Sequence, residues 1–122
     1  MLRGREPVQS RVRSESPVNL AVAAMTLAEL WYGAVRGDDA PKAFAKIKRF
    51  LSTGVAVLPF DEDAAYRYGE IRQAIRAQPI GTADLVIASV AVARGLTVVT
   101  SNVREFGRVP GLPHVDWMRA KS

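Results

Sequence analysis

Hydrophobic positions recur along the chain with two different spacings, and these spacings predict its strands and helices. Four short runs are almost wholly apolar and have the length of buried strands, residues 20–24, 55–58, 96–100 and 115–117. Four longer segments carry apolar side chains three or four positions apart and are predicted to be helices, residues 26–36, 42–51, 62–78 and 85–93. Helices that alternate with short apolar strands predict an α/β sandwich built around a parallel sheet.

The first nineteen residues differ in character from the rest of the chain. They carry four arginines and two glutamates but few large apolar side chains, so residues 1–19 are expected to form a helical arm on the surface. Residues 20–122 are expected to form the core. The length of 122 residues predicts a single domain made of these two parts.

The composition limits the chemistry that the chain can perform. Without cysteine it forms no disulfide and no thiolate zinc site, and a single histidine, His114, leaves acid–base chemistry to carboxylates. The formal net charge of +5 suits a polyanionic partner such as nucleic acid or an acidic protein. No apolar run is long enough to span a membrane, and the first residues lack the apolar stretch of a signal peptide, so a cytoplasmic location is expected.

Three turns at the carboxyl edge of the predicted sheet each carry an acid or an amide, namely Glu29, Asp84 and Asn102. Each of these residues also has a simpler explanation in helix capping. Glu29 follows Thr26 with the spacing of a capping box, Asp84 lies in the first turn of a helix, and Asn102 precedes Glu105 by three residues. Taken singly, the three positions therefore leave capping and function as open alternatives.

Considered together, the three positions predict a metal site. If strands 20–24 and 96–100 are neighbours in a parallel sheet, Glu29, Asp84 and Asn102 point into one cleft at its carboxyl edge. Two carboxylates and an amide oxygen are hard ligands that suit Mg²⁺ or Mn²⁺. Such an ion activates water for attack on a phosphodiester, and a basic surface supplies affinity for nucleic acid.

Three segments of the chain resemble the signature segments of PIN-domain proteins, in the same order. Residues 24–34 are similar to the segment S-x-x-T-x-x-E-L-x-x-G, and residues 79–88 to the segment I-G-x-x-D-x-x-I-A. Residues 99–112 resemble V-T-x-N-x-x-E-F-x-R-V-P-G-L, the closing signature of VapC-type toxins. The resemblance extends from about residue 20 to the C-terminus.

This resemblance implies a fold, an activity and partners. It implies a three-layer α/β/α sandwich with an acidic cluster that binds Mg²⁺ or Mn²⁺ and cleaves RNA, an antitoxin of VapB type as partner, and a homodimer. Glu29 matches the second acid of the family and Asp84 the third. Asn102 takes the fourth position, and Thr100 matches the small hydroxyl residue beside it, a hydrogen-bond partner for a ligand or phosphate.

The chain departs from the family pattern at its N-terminus. In PIN domains the first acid lies in a central strand that reads roughly Leu-Asp-Thr-Asn, and that strand is expected to be absent here, because residues 2–7 resemble the connection that follows it. Without one of the two principal carboxylates Mg²⁺ should bind weakly, so the 122-residue chain is expected to have little or no nuclease activity. A misplaced start codon and a decayed toxin gene are the two explanations.

These observations lead to functions of different classes. The first is a Mg²⁺-dependent endoribonuclease toxin of a VapBC-type toxin–antitoxin system. The alternative is a truncated, inactive PIN-like module that binds antitoxin or RNA without cutting it. A plain basic nucleic-acid-binding domain would require all three motifs to be coincidental helix caps.

Overall fold

A computed structural model of the protein describes residues 2–3, 21–100 and 102–116. Within these ranges the strands are β1 (Leu2–Arg3), β2 (Ala21–Ala23), β3 (Ala56–Leu58), β4 (Thr97–Thr100) and β5 (His114–Asp116). The helices are α1 (Ala24–Arg36), α2 (Ala40–Leu51), α3 (Glu62–Ala74), α4 (Thr82–Arg94) and α5 (Val103–Phe106). None of the helices in these ranges is both long and apolar enough to cross a membrane.

The five strands form one sheet in the order β3-β2-β1-β4-β5. Strand β2 pairs in parallel with β3, and β4 pairs in parallel with β5, whereas β1 is antiparallel to both of its neighbours. Four strands therefore run in one direction and only β1 runs against them. This confirms the predicted α/β architecture with a mainly parallel sheet.

Strands β2 and β4 are not neighbours, which corrects the condition on which the sequence prediction of a shared cleft depended. Strand β1 lies between them, with Leu2 opposite both Ala21 of β2 and Val98 of β4. A central position in a sheet demands hydrogen-bond partners on both sides, and two residues from the start of the chain supply part of them. A two-residue strand has too little pattern to be recognised from sequence.

The same strand corrects the prediction for residues 1–19. Leu2 and Arg3 belong to the middle of the sheet and are not part of a surface helix. The remainder of that predicted arm lies outside the described residues, as does Trp117 at the end of the last predicted strand. The division of the chain into an arm and a core stays a prediction.

Helix α4 is the central helix of the hydrophobic core, as its apolar sequence predicts. Leu85, Ala88, Val90 and Ala91 on this helix are at most 5% exposed, and α4 packs along α3. The helix ends at Gly95, whose φ of +66° is the left-handed conformation that glycine adopts without strain. Because the turn after Gly95 leads directly into β4, the amino end of α4 lies near the carboxyl end of β4.

Candidate active site

Asp84 lies in the first turn of α4, as the sequence predicts, and is half-buried. The helix begins after Gly81, whose carbonyl accepts a hydrogen bond from the backbone N–H of Leu85 at 2.9 Å. The buried side chain of Leu85 fixes this turn in the core. Asp84 is therefore held at the edge of the sheet by a helix that has little freedom to move.

Asn102 occupies the cap position of α5, but its side chain forms no capping hydrogen bond. Its Nδ2 donates to Oδ2 of Asp84 at 2.9 Å. The backbone N–H of Asn102 donates to Oγ1 of Thr100, also at 2.9 Å. Thr100 thus positions Asn102 and Asn102 orients Asp84, so the structure brings three of the four predicted site residues into one hydrogen-bonded chain.

Glu105 is a further member of this site that sequence reasoning missed. Its carboxyl is hydrogen-bonded to that of Asp84 and also interacts with the side chain of Asn102 and the backbone N–H of Gly81. The signal was present as the three-residue spacing from Asn102, but that spacing also fits a capping box. The two side chains turn toward Asp84 instead.

The two carboxyls of Asp84 and Glu105 share a proton. Burial, followed by the hydrogen bond to Glu105 and the repulsion from its charge, raises the pKa of Asp84 from 3.8 to about 6. The pKa of Glu105 is lowered, chiefly because the protonated Asp84 donates to it. Two acids in contact that cannot both ionise at low cost are an arrangement that a bound cation relieves.

Glu29 is the most distant member of the predicted set. It is exposed on α1, which begins at Ala24 directly after β2. The predicted capping box with Thr26 is wrong, because the cap residue of α1 is Ala23 and no side chain caps the helix. The negative charge of Glu29 still contributes to the raised pKa of Asp84.

The donor set fits a small divalent cation that keeps several of its own water ligands. Asp84 and Glu105 supply two adjacent carboxylates, and Mg²⁺ in proteins often takes one or two. Within the described ranges, however, no three His, Cys, Asp or Glu side chains lie close enough together to hold a metal ion. Glu29 is therefore near the pair but not in contact with it.

The stability of the metal-free chain should depend on pH through Asp84. Its folded pKa of about 6 lies above the ordinary value of 3.8, so the stability contributed by protonated Asp84 is present at low pH and is lost as pH rises through 6. Glu105, with a lowered pKa, acts in the opposite sense and loses its contribution as pH falls. Asp84→Asn should therefore match the unsubstituted chain at about pH 4.5 and exceed its Tm by about 1–3 °C at pH 7.5.

Thermal unfolding in EDTA at a series of pH values measures this difference. Asp63→Asn is the matched control, because Asp63 is an exposed acid in the first turn of α3, with no carboxyl partner among the described contacts. A Tm difference between the Asp84 variant and the unsubstituted chain that stays constant with pH would contradict the shared proton.

Comparison with known proteins relates this geometry to a family. The model of the family described as "PIN domain" matches residues 3–112. The "tRNA(fMet)-specific endonuclease VapC" of Salmonella typhimurium is 39% identical over 100 residues, which cover 80% of this chain and 75% of that protein. "Ribonuclease VapC2" of Rickettsia felis is 35% identical over 100 residues, which cover 80% of this chain and 74% of the relative.

Solved structures resemble the fold closely. The DNA-bound VapBC of Salmonella typhimurium superposes with a TM-score of 0.80 at 36% identity, covering 93% of this chain and 87% of that one. VapBC2 of Rickettsia felis, bound to a DNA fragment from the promoter, gives a TM-score of 0.75 at 35% identity, covering 80% of this chain and 74% of the other.

Proposed function

The chain belongs to the PIN-domain family, as a VapC-type ribonuclease toxin, and from that premise we propose that it cleaves RNA at the Asp84 site with a divalent cation. The observation that carries the proposal is the contact between the carboxyls of Asp84 and Glu105, with Asn102 donating to Asp84 at 2.9 Å. A half-buried pair of acids has no evident structural role at this edge of the sheet, whereas it suits a cation and a phosphodiester.

Asp84 and Glu105 would hold the cation, Mg²⁺ or Mn²⁺, and Glu29 and Asn102 would lie beside it. When bound, such an ion activates a water molecule and neutralises charge on the phosphodiester. The residues of the chain itself orient this pair. Thr100 fixes the backbone of Asn102, and the amide of Asn102 restrains one carboxylate oxygen of Asp84, so the acid is held in place before any ligand arrives.

Arg108 adds a positive charge on the outer side of the pair. Its guanidinium donates to the carbonyl oxygen of Pro79 at 3.3 Å, and its charge helps to lower the pKa of Glu105. Arg108 therefore keeps Glu105 ionised, the state in which that carboxylate binds a cation.

The partner and setting follow from the relatives by analogy. The two solved relatives are VapBC complexes, and we propose an antitoxin of VapB type as the partner of this chain. Assembly as a homodimer and a cytoplasmic location are proposals that rest on the same family membership. The RNA substrate is proposed because relatives at 35–41% identity are named as endonucleases or ribonucleases.

A second candidate function is a module that binds antitoxin or RNA without cutting. It is favoured by one observation, namely that only two carboxyls, those of Asp84 and Glu105, are in contact among the described residues. Two carboxylates without a third close acid hold Mg²⁺ weakly, because the ion gives up its waters reluctantly.

An RNA cleavage assay on the purified 122-residue chain separates the two functions. With a labelled tRNA transcript we expect slow cleavage that requires Mg²⁺ or Mn²⁺ and stops when EDTA is added. Cleavage that continues at the same rate in EDTA would contradict the proposed chemistry. RNA or antitoxin binding without cleavage at any cation concentration would establish the second candidate in its place.

A further inference from the structure

The positive charge of this protein is concentrated on one helix. Helix α2 contains Lys42, Lys46, Lys48 and Arg49 but no acid. The whole chain carries seventeen basic and twelve acidic side chains, so the other 110 residues hold thirteen basic and twelve acidic ones and are close to neutral. The net charge of +5 is therefore mostly a property of α2.

Three of the four basic residues form a stripe along one face of the helix. Lys42, Lys46 and Arg49, which we call the α2 stripe, are spaced four and three positions apart, so they lie on one side and rise by about 6 and 4.5 Å along the axis. All three are exposed. The opposite face of α2 packs inward through Ile47, which is buried, and Phe44, which is half-buried.

The charges of the α2 stripe are not neutralised within the protein. In the described part of the chain the ion pairs are Arg67–Glu70 and Arg94–Asp61, and neither involves α2. Asp39 precedes the helix, but its Oδ1 accepts a hydrogen bond from the backbone N–H of Lys42 at 3.1 Å as a helix cap. Three cations in water without partners offer a repeating set of contacts to an anion.

Helix α2 is also packed against the helix that carries Glu29. The rings of Trp31 on α1 and Phe44 on α2 meet edge to face, with centroids 5.3 Å apart. Glu29 is two residues from Trp31 along α1. The α2 stripe therefore belongs to the same part of the molecule as the acids, although it shares no described contact with them.

We propose that the α2 stripe binds the sugar-phosphate backbone of RNA at a distance from the bond that is cut. This inference rests on the proposed function, because it takes RNA as the substrate. Phosphates of a nucleic acid strand repeat every few ångströms, as the three cations do, and Lys and Arg contacts to phosphate supply affinity without sequence preference. The stripe gives the ribonuclease affinity for long RNA.

The surface chemistry favours RNA over an acidic protein as the occupant. Protein interfaces are anchored by large apolar side chains, and the exposed face of α2 has none. The exposed large apolar side chains lie on other elements, among them Leu30, Tyr32 and Val35 on α1. A surface of cations alone suits a polyanion with a regular charge repeat.

RNA affinity measured in EDTA tests the proposal without requiring cleavage. Fluorescence anisotropy with a labelled tRNA transcript should show that Lys46→Gln weakens binding roughly 5-fold at about 0.1 M salt and lowers the salt slope by about 0.7. The triple variant Lys42→Gln, Lys46→Gln, Arg49→Gln should weaken it more than roughly 30-fold. Lys48→Gln is the matched control, since it removes one charge from the same helix on another face, and it should change affinity less than about 2-fold.

Each outcome decides the inference separately from the cleavage proposal. Equal effects of Lys46→Gln and Lys48→Gln would mean a general charge effect and would overturn the stripe. Intact RNA binding in the triple variant, with weaker binding of a VapB-like antitoxin, would reassign the surface to an acidic protein and overturn it as well. Stripe-dependent RNA binding by a chain that does not cut would keep the inference and remove the cleavage function.

Discussion

Asp84→Asn should abolish the cation-dependent part of RNA cleavage, by about 10²-fold or down to the rate in EDTA, and weaken Mn²⁺ binding by at least about 10-fold. The substitution keeps the size of the side chain and an oxygen that accepts from Asn102. It removes the negative charge that Asp84 and Glu105 share, and charge is what the proposed cation requires. Calorimetric titration with Mn²⁺ and a cleavage assay on the same preparations measure both effects.

Asp63→Asn is the control for this experiment as well. It makes the same chemical change in the first turn of a different helix, and Asp63 has no contact with the Asp84 site among the described interactions. It should leave Mn²⁺ affinity and cleavage within about 2-fold of the unsubstituted chain. If Asp84→Asn retained full cation-dependent cleavage, the site would have to be moved away from Asp84.

Much of the fold was predictable because its signals are local. Asp61 was expected to cap a helix, and its Oδ1 accepts a hydrogen bond from the backbone N–H of Ala64 at 3.0 Å. The apolar run from Leu85 gives a buried helix, and Gly95 ends it. In each case the residues that specify the element also lie within it, so the pattern and the structure describe the same few contacts.

The features that were missed depend on residues far apart in sequence. Strand β1 is two residues long and is defined by its partners in β2 and β4, about 20 and 95 positions away. Glu105 and Asn102 have the spacing of a helix cap, but their side chains interact with Asp84, about 20 positions earlier in the chain. A short polar motif has both local and distant hydrogen-bond partners within reach, and sequence alone does not say which of them it takes.

The centre of the sheet suggests where a third carboxylate would act. Strand β1 pairs with β2 at Ala21 and with β4 at Thr97 and Val98. The carboxyl ends of β2 and β4, at Ala23 and Thr100, lie beyond these pairings and close to the acids. A strand placed here in parallel with β2 and β4 would direct its last side chains toward Asp84.

Fusing a segment that reads Leu-Asp-Thr-Asn, followed by a helix, ahead of Met1 should therefore raise cation-dependent RNA cleavage about 10²-fold over the 122-residue chain. The added strand would replace β1 between β2 and β4, and its aspartate would give the cation a third close carboxylate, which Asp84 and Glu105 lack among the described residues. Initial cleavage rates over a range of Mg²⁺ concentrations measure the gain.

The matched control for the fusion carries Leu-Asn-Thr-Asn in the same segment. It restores the backbone of the strand without the charge, so it should raise the melting temperature as the aspartate version does, because both fill the centre of the sheet. Its cleavage rate should stay within about 5-fold of the 122-residue chain. Equal cleavage by both fusions would mean that a third carboxylate is not what limits this site, and the pair formed by Asp84 and Glu105 would have to be sufficient on its own.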